Sequence, residues 1–263
     1  MLPDFKMIMH RFDNDIVVYP ISDVHLGSAE HMESAWNSFC RKVIERPDVY
    51  LILNGDMINN ATRSCVSNIF EETMRPREQK QRMVEMLAPL RERILCITPG
   101  NHEMRSVKDA DDDPTYDIAC KLDLEDLYRP NAAFMRINLG SDSKRDGSNR
   151  AYTGFNFCVT HGTGGGIYTG ASVNRSERFG NIIDGLDCLI VGHTHKGSIT
   201  YPNKLVIDSR TGQVFSRDVL TVVCTSWMSY GGYALRKMLL PSSVSRPQKI
   251  VLHRTEKRIE AIW

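Results

Sequence analysis

Aspartate, asparagine and histidine recur in this chain directly after short apolar runs. They are Asp23, His25, Asp56, Asn101, His102, His161, His193 and His195. Carboxylate oxygen, amide oxygen and imidazole nitrogen are hard or borderline ligands, and as a set they suit Mn, Fe or Zn better than a thiolate site would. An aspartate between two cations roughly 3.5–4 Å apart can bridge them, and such a pair can clamp the attacking and leaving oxygens of a phosphate ester. The residue types therefore indicate a two-metal site for phosphoester chemistry.

Each short motif alone has a simpler explanation. An Asp-x-His in a loop is usually a cap or a surface pair, and a Gly-Asp after a strand is usually a turn. A single histidine near a strand end is more often a structural side chain than a ligand. Metal binding is favoured by the combination, because five consecutive apolar runs all end in such residues.

The elements that must position these side chains are read from the apolar pattern. Five runs rich in Val, Ile, Leu and aromatic residues have strand length and occupy 16–21, 49–53, 94–98, 155–160 and 188–191. Their near-continuous apolar character predicts burial on both faces. Four further strands are predicted over 205–207, 219–224, 249–253 and 258–263, the last two as a hairpin that turns near Thr255 and Glu256.

Two amphipathic helices are predicted between the early strands. Their apolar stripes consist of Ala35, Phe39, Val43 and Ile44 in one helix, and of Met83, Met86, Leu87, Leu90 and Ile94 in the other. Pro76 suits the first turn of the second helix. The polar segment 141–150 predicts a turn around Asp146 and Gly147.

Composition places the chain among ordinary globular proteins. Its 263 residues are 41% apolar and 25% charged, which suits one domain over 1–263 with a sizeable core. The net charge of +1 gives no global attraction to nucleic acid or membrane. The N-terminus lacks a signal-peptide run and no stretch reaches about 20 apolar residues, so we expect a cytoplasmic protein with no membrane span. Seven cysteines without a CxxC pair are expected to be buried free thiols, with a zinc–thiolate site as the alternative.

Five motifs, in order, resemble the signature of calcineurin-like metallophosphoesterases. They read Asp23-Val24-His25, Gly55-Asp56, Gly100-Asn101-His102-Glu103, His161 and Gly192-His193-Thr194-His195. All five lie at predicted strand ends, and the later strands also fit the fold of that family. The resemblance implies an α/β fold, a four-layer α/β/β/α sandwich in a single domain, and a metal-dependent phosphoric ester hydrolase. Within the family, the chain is similar to the compact members that phages and prophages encode.

The resemblance also implies a role for each matching residue. One metal ion would be held by Asp23, His25 and His195. The other would be held by Asn101, His161 and His193. Asp56 would bridge the two divalent ions, which we expect to be Mn²⁺, with Fe, Zn, Ni or Mg as alternatives. A hydroxide bridging the metals would attack phosphorus in line, while His102 would stabilise the developing charge and protonate the leaving alkoxide.

Two residues that follow the catalytic histidine are expected to support it. Glu103 would orient His102 or His25, and a surface salt bridge is the equally weighted alternative. Arg105 follows at a spacing that is similar to serine/threonine protein phosphatases. The glycines of the motifs are expected to form tight turns that bring backbone close to the metals.

The motifs do not choose the phosphoester. Protein phosphatases continue the second motif with an aspartate and an arginine, whereas this chain has Met57-Ile58-Asn59-Asn60. We therefore expect a phosphodiesterase for a nucleotide or nucleic acid, with a phosphomonoesterase or protein phosphatase as the second hypothesis. A non-catalytic binding or scaffold protein on the same fold ranks third, because every ligand and His102 are present. The oligomeric state is left open.

Three further features have both a structural and a functional interpretation. A solvated helix face is favoured over a phosphate contact for the basic residues Arg63, Arg75, Arg77, Lys80 and Arg82. The glycine-rich segment 162–166 would let a substrate approach His161 closely or would act as a lid. Core packing is preferred over base stacking for Trp227, Tyr230 and Tyr233.

Overall fold

The computed structural model describes residues 5–63, 65, 69–140, 152–241 and 246–263. Within these residues it contains six α-helices: α1 (Glu33–Ile44), α2 (Pro76–Leu87), α3 (Glu103–Ala110), α4 (Pro114–Lys121), α5 (Thr169–Asn181) and α6 (Gly232–Arg236). The same residues contain thirteen strands: β1 (Ile8–Phe12), β2 (Ile16–Ile21), β3 (Val49–Asn54), β4 (Ile94–Thr98), β5 (Ala132–Leu139), β6 (Thr153–Thr160), β7 (Cys188–Val191), β8 (Ser198–Thr200), β9 (Asn203–Asp208), β10 (Gln213–Asp218), β11 (Leu220–Val223), β12 (Lys249–Leu252) and β13 (Ile259–Ile262). The predicted turn over 141–150 lies outside the described residues.

Two mixed sheets and a small hairpin contain these strands. The first sheet has the order β1-β5-β6-β7-β11-β8, in which β6, β7 and β11 run parallel. The second has the order β13-β12-β2-β3-β4, in which β2, β3 and β4 run parallel. Strands β9 and β10 form a separate antiparallel pair. Parallel strands direct their carboxyl ends to one edge of a sheet, so the loops after β2, β3 and β4 emerge together, as do those after β6 and β7.

The main hydrophobic core lies between the two sheets. Val18 and Ile52 from the second sheet belong to one buried cluster with Ile137, Phe157 and Ile190 from the first. Side chains along a strand alternate between its two faces, so the neighbouring residues point outward. Helices cover those outer faces as well, which explains the near-continuous burial of β2, β3 and β7.

The outer layers are helical. On the second sheet, Leu53 of β3 packs in one cluster with Trp36 of α1 and Met83 of α2. On the first sheet, Leu189 of β7 packs with Phe179 of α5. The layers therefore run helix, sheet, sheet, helix, which confirms the predicted α/β/β/α sandwich. That one domain spans all of 1–263 stays a prediction.

The predicted elements are present, and others are added. All nine predicted strands occur, with ends that differ by at most two residues, and β12 and β13 form the expected hairpin. Pro76 begins α2 as predicted. Strands β1, β5, β8 and β10 and helices α3 to α6 were not predicted. Buried and half-buried positions alternate over most of β5, and the strand contains the polar residues Arg136 and Asn138. No continuous apolar run therefore predicts this strand.

Two positions of the predicted helical stripes were wrong. Ile44 ends α1 with 49% of its surface exposed, and the buried face of that helix is formed by Trp36, Cys40 and Val43. Ile94 does not continue α2, because a 3₁₀ helix over Ala88–Arg93 intervenes and Ile94 begins β4. Ile44 is therefore on the exposed side of the last turn of α1, and Ile94 lies beyond the end of α2. Leu90 also lies in the 3₁₀ helix, but it is buried as predicted.

Five of the seven cysteines are core residues, whereas burial was wrong for Cys120, which is exposed, and for Cys65, which is half-buried. Cys96, Cys158, Cys188 and Cys224 are buried and free, as expected. Burial raises the pKa of the Cys96 thiol to about 12, which keeps it protonated. Among the described residues, the side-chain groups with metal-binding geometry contain no thiol, so the zinc–thiolate alternative was wrong. Within the same ranges we find no helix suited to crossing a membrane.

Candidate metal centre

The polar strand ends converge in space. Loops after β2, β3 and β4 of one sheet meet the loops after β6 and β7 of the other, and these five loops carry all seven predicted ligands. Left-handed backbone conformations occur at Asp23, His25, Asp56, His193 and His195. Such a conformation costs a non-glycine residue about 1 kcal/mol or more, and it persists where the surroundings fix it. Five strained residues at one edge indicate a functional site.

The first cluster consists of Asp23, His25 and His195. Nε2 of His195 lies 3.1 Å from Oδ1 of Asp23 and 3.2 Å from Nε2 of His25. Nε2 of His25 lies 3.8 Å from the same Asp23 oxygen. The three groups can offer one ligand atom each to a single ion. One carboxylate and two imidazoles form a donor set that suits a divalent cation of the Mn, Fe or Zn kind.

Only one of the two carboxylate oxygens of Asp23 accepts hydrogen bonds from the described residues. Its Oδ2 accepts hydrogen bonds from Ser22 Oγ at 2.6 Å and from the backbone N–H of His193 at 3.0 Å. Its Oδ1 is fully buried and has no hydrogen-bond partner among the described residues. A buried, orphaned carboxylate oxygen is costly unless a cation completes it. The residues present therefore fit a metal ion at this position.

The second cluster contains an amide oxygen and two imidazoles. Oδ1 of Asn101 lies 2.6 Å from Nδ1 of His193 and 3.2 Å from Nε2 of His161. Nε2 of His161 lies 3.2 Å from Oδ2 of Asp56. Asp56, His161 and His193 can together surround one ion.

Asp56 lies between the two clusters. Its Oδ2 is 3.2 Å from Nε2 of His161 in the second cluster and 3.8 Å from Nε2 of His25 in the first. Its Oδ1 accepts a hydrogen bond from the backbone N–H of His102 at 2.8 Å. A Cβ at Gly100 would lie 2.1 Å from that Oδ1, so only glycine fits there. The carboxylate is thus held by one oxygen and offers the other to both clusters.

Hydrogen bonds to the far nitrogens orient the imidazoles. Nδ1 of His161 contacts the backbone oxygen of Asn54 at 2.8 Å, which directs Nε2 toward Asp56. Nδ1 of His25 contacts Oδ1 of Asn59 at 3.2 Å. Metal-binding histidines commonly need such a partner. Sequence reasoning missed both asparagines, because each acts on a histidine far away in the chain.

The imidazole of His102 faces the metal clusters. Nδ1 of His102 contacts the backbone oxygen of Asn59 at 2.8 Å, and Nε2 lies 3.8 Å from Oδ2 of Asp56. Arg105 donates to the same Asn59 oxygen at 3.1 Å. Burial lowers the pKa of His102 to about 3, since the Asp56 charge offsets only part of the desolvation. His102, His25 and Asp56 could also surround an ion, so geometry alone does not separate a ligand from a substrate-facing role.

Glu103 has a different role from either expected one. Its side chain is buried, and it does not contact a histidine as an orienting partner would. Its Oε2 accepts from the backbone N–H groups of Asp56 and Gly100, both at 2.9 Å. Its Oε1 accepts from the N–H of Ile58 at 3.1 Å. Glu103 therefore joins the loops after β3 and β4, and the surface salt bridge was wrong because those backbone donors hold the carboxylate in the interior.

Charges in the centre stabilise one another without metal. Burial raises the pKa of Asp23, but the imidazoles of His195, His25 and His161 outweigh it and hold this pKa well below its usual range. Burial lowers the pKa of His161, but the Asp56 carboxylate outweighs burial and raises it to about 10. The metal-free centre therefore keeps its carboxylates ionised and His161 protonated near neutral pH.

A cavity of about 540 Å³ lies beside the metal clusters. Residues of the clusters that line it are His25, Asp56, Asn101, His102, His193 and His195. It is also lined by the glycines of segment 164–166 and by Ile167, Tyr230, Tyr233, Leu239 and Leu240. Charged side chains on its surface are Glu30, Glu71, Glu72, Arg105, Lys196 and Arg236. The volume suits a ligand of drug or nucleotide size.

The structure settles two of the open sequence interpretations. Arg63, Arg75, Arg77, Lys80 and Arg82 do not line this cavity, and Lys80 instead pairs with Asp112 and Asp117, as a helix face would. Trp227 is buried in the core, as predicted. For Tyr230 and Tyr233, core packing was wrong: they are 41% and 51% exposed, because the segment after β11 that carries them lines the cavity.

Comparison with known proteins identifies the family. The sequence model of the calcineurin-like phosphoesterases matches residues 16–197, more than half of the chain. The chain belongs to this family and is a metal-dependent phosphoric ester hydrolase. A search of curated proteins gives no match.

Similar solved structures have low sequence identity to this chain. A conserved protein of Streptococcus pneumoniae TIGR4, described as a predicted phosphoesterase, is 10% identical with a TM-score of 0.36, over 94% of this chain and 97% of that chain. A metallophosphoesterase from Sphaerobacter thermophilus is 15% identical with a TM-score of 0.36, over 92% and 90%. A point mutant of a cold-active protein tyrosine phosphatase is 12% identical with a TM-score of 0.34, over 99% and 83%.

Proposed function

We propose that the protein is a two-metal phosphodiesterase that hydrolyses a phosphodiester in a nucleotide or nucleic acid. The observation that carries this proposal is the lining of the cavity, which combines the residues of the metal clusters with the apolar and aromatic side chains Ile167, Tyr230, Tyr233, Leu239 and Leu240. A monoester has one organic substituent, whereas a diester has two. A phosphate seated at the clusters could therefore place a second substituent against Tyr230 or Tyr233, which are half exposed to the cavity.

Each metal position has its own protein ligands in this proposal. Asp23, His25 and His195 would hold the first ion. Asn101, His161 and His193 would hold the second. Asp56 would contact both, and Mn²⁺ is the proposed ion because oxygen and imidazole donors dominate. When bound, the ions supply Lewis acidity toward the phosphate and lower the pKa of the attacking water.

The chain's own residues then orient the ester and move the proton. His102 is neutral by its lowered pKa and held at Nδ1 by the Asn59 oxygen, so Nε2 faces the cavity with a fixed direction. In this state Nε2 carries no proton, so it would first take the proton that the attacking water loses as it becomes hydroxide; the imidazolium would then stabilise charge on the phosphate oxygens and return that proton to the leaving alkoxide. Arg105, fixed on the same Asn59 oxygen, would hold a non-bridging phosphate oxygen.

Charge pairing in the cavity favours a diester over a monoester. Arg236 donates to the two carboxylate oxygens of Glu71 at 3.0 and 3.2 Å, and Nζ of Lys196 donates to the backbone oxygen of Ile167. A dianionic monoester gains most from several cations that are available to its oxygens. A diester carries a single negative charge and needs fewer of them.

The residues after the second motif also favour a diester over a phosphoprotein monoester as the substrate. Met57 and Ile58 are buried in the core on the helical side of the second sheet. Asn60 donates to the backbone oxygen of His102 at 2.8 Å and to Ser106 Oγ at 2.9 Å. Positions 57–60 therefore support the fold and His102, in place of the phosphate contacts that protein phosphatases make with their aspartate and arginine.

The test compares esters on metal-stripped protein that has been supplied separately with Mn, Mg, Zn, Fe or Ni. We expect Mn²⁺ to restore hydrolysis of bis-p-nitrophenyl phosphate, with a higher kcat/KM than for p-nitrophenyl phosphate. The Asp56→Asn variant should lose both activities, while the matched Asp48→Asn variant, altered at an exposed aspartate, should keep them. A preference for the monoester with every metal would refute the diesterase.

A further inference from the structure

A second substrate-binding surface adjoins the metal centre at the Tyr230–Tyr233 segment. Tyr230 and Tyr233 flank Gly231 and Gly232, and both tyrosines and Gly231 line the cavity that contains the clusters. Oη of Tyr230 donates to the backbone oxygen of Leu239 at 2.8 Å, which fixes that ring while 41% of the residue stays exposed. Large aromatic faces left open beside a catalytic centre can bind a flat ligand by stacking.

A carboxylate lies against the glycines of this segment. Oε2 of Glu30 accepts from Ser28 Oγ at 2.7 Å, and Oε1 lies on the side of Gly232. A Cβ at position 232 would come within 2.0 Å of Oε1, and φ of Gly232 is +44°, so a side chain there would displace the carboxylate. The glycine thus makes room for Glu30 against the segment that carries the two tyrosines.

Backbone hydrogen bonds join the two segments into one surface. The N–H of Ser229 donates to the backbone oxygen of Glu30 at 2.8 Å, and a β-bridge pairs His31 with Met228. Glu30 follows His25, a ligand of the first metal cluster, by five residues in the same loop. The position of the surface relative to the clusters is therefore set by short, hydrogen-bonded connections.

We propose that Tyr230, Tyr233 and Glu30 form a nucleobase subsite that prefers guanine, an inference that rests on the proposed phosphodiesterase function. The rings would stack on the base. An ionised carboxylate only accepts hydrogen bonds, and the edge of guanine presents two adjacent donors, N1–H and N2–H. Thymine presents one N–H between two carbonyl oxygens, and these would face the carboxylate unfavourably.

A cationic substituent is the competing ligand for an aromatic surface with a carboxylate. Three basic side chains, Arg105, Lys196 and Arg236, and three acidic ones, Glu30, Glu71 and Glu72, line the same cavity, and Arg236 is paired with Glu71. The charges of the lining therefore balance, and a choline ester serves as the competing substrate in the test.

The test uses Mn²⁺-loaded protein and diesters that share the p-nitrophenolate leaving group. They are methyl p-nitrophenyl phosphate and the 5′-(p-nitrophenyl phosphate) esters of 2′-deoxyguanosine and thymidine. We expect kcat/KM for the deoxyguanosine ester to exceed that for the methyl ester by at least about tenfold, the range that base stacking provides. The deoxyguanosine ester should also exceed the thymidine ester by roughly fivefold or more, as a bidentate hydrogen-bonded contact would give.

Variants separate the two parts of the subsite. In Tyr230→Ala and Tyr233→Ala, the kcat/KM ratio of either nucleoside ester to the methyl ester should fall by about tenfold. In Glu30→Gln, the ratio of the deoxyguanosine to the thymidine ester should fall toward one. Matched controls are Leu235→Ala on the same helix and Glu33→Gln, whose side chains are exposed and do not line the cavity; both should keep the wild-type ratios.

The outcomes distinguish this inference from the proposed function. If the wild type hydrolyses no diester in preference to its monoester, the proposed function fails first. If it hydrolyses methyl p-nitrophenyl phosphate but neither nucleoside ester faster, the subsite is refuted while the diesterase stands. Preference for p-nitrophenyl phosphorylcholine over the nucleoside esters, or equal ratios in the tyrosine variants and the wild type, would also overturn it.

Discussion

Oδ1 of Asp23 lies 3.1 Å from Nε2 of His195. This carboxylate oxygen is fully buried and has no hydrogen-bond partner among the described residues. Because Oδ2 is already held by Ser22 and the His193 backbone, only Oδ1 is left to bind an ion. We therefore predict that Asp23→Asn reduces bound Mn²⁺ from two ions per chain to one. The measurement is metal content by elemental analysis after equilibrium dialysis.

Activity should fall together with the first ion. Changing an outer partner of a metal ligand already costs roughly 10- to 100-fold, so loss of a direct ligand should lower kcat/KM by at least about a hundredfold. Asp48→Asn, which alters an exposed carboxylate, serves as the control for the loss of a charge. Two retained ions in Asp23→Asn would show that Asp23 is not a ligand.

Metal binding should release a proton from His161. Burial lowers the pKa of this imidazole, but the Asp56 carboxylate outweighs burial and raises it to about 10. The metal-free protein thus holds His161 protonated near pH 8, and an ion can bind Nε2 only after that proton leaves. We predict that the association constant for Mn²⁺ rises with pH between about 7 and 9, up to tenfold per unit for each proton displaced.

The same shift has a consequence for stability. A raised imidazole pKa stabilises the metal-free fold fully below the ordinary pKa of about 6.5, and this contribution is lost as pH rises through about 10.

Calorimetry in two buffers of different protonation enthalpy counts the protons that are released when Mn²⁺ binds. His161→Asn should release one proton fewer than the wild type. His193→Asn is the contrast, since burial lowers the pKa of His193, and all variants are compared at Mn²⁺ concentrations at which metal analysis gives two ions per chain. Equal proton release in His161→Asn and the wild type would contradict the assignment.

Local sequence was enough to predict which side chains meet. His161 and His195 follow apolar runs that become the neighbouring parallel strands β6 and β7, whose carboxyl ends lie at one edge of a sheet, whereas Asp23 follows β2 of the other sheet and reaches them through the packing of the two sheets. The same runs predicted strands that are buried on both faces, whereas the four-layer order was implied by the resemblance to the calcineurin-like family. Whether these side chains bind metal is a prediction that the structure supports by proximity.

Other parts of the site depended on contacts that no local pattern contains. Asn59 contacts His25 through its side chain and His102 through its backbone oxygen, over 34 and 43 residues of chain. Tyr233 has the composition of a core residue, and only the path of the chain after β11 places it at the cavity. Such roles depend on tertiary packing, which sequence periodicity does not encode.

Glu103 should be essential for the geometry of the centre although it touches no predicted ligand side chain. It accepts backbone hydrogen bonds from Asp56, Ile58 and Gly100. In Glu103→Gln an amide N–H₂ would replace one oxygen and face a backbone donor. Burial and the nearby Asp56 charge raise the pKa of Glu103 to about 7, so the comparison is made well above that pH, where the carboxylate is ionised. Losing a hydrogen bond to a charged group costs about 1.5–3 kcal/mol, so we predict a loss of about 2–3 kcal/mol in the free energy of unfolding there, measured with urea.

The control for this change is Glu92→Gln, whose side chain is 82% exposed and should change stability by less than about 0.5 kcal/mol. Because Glu103 positions the backbone of Asp56, kcat should also fall in Glu103→Gln under conditions in which the variant remains folded. Wild-type stability in Glu103→Gln would mean that the three backbone bonds are not formed in solution.

His102 should be separable from the metal ligands by experiment. Its Nε2 lies 3.8 Å from Oδ2 of Asp56, close enough to share an ion, yet its proposed role is to protonate the leaving alkoxide. We predict that His102→Ala retains two Mn²⁺ per chain while kcat falls by roughly 10²- to 10⁴-fold, the range for a lost general acid. The loss should be smaller for p-nitrophenolate, which leaves without help, than for an alkoxide of a natural diester.

His161→Ala, which removes a proposed ligand, should instead lose an ion, so metal content and leaving-group dependence together decide between the two roles. Loss of an ion in His102→Ala, with equal effects on both leaving groups, would make His102 a ligand.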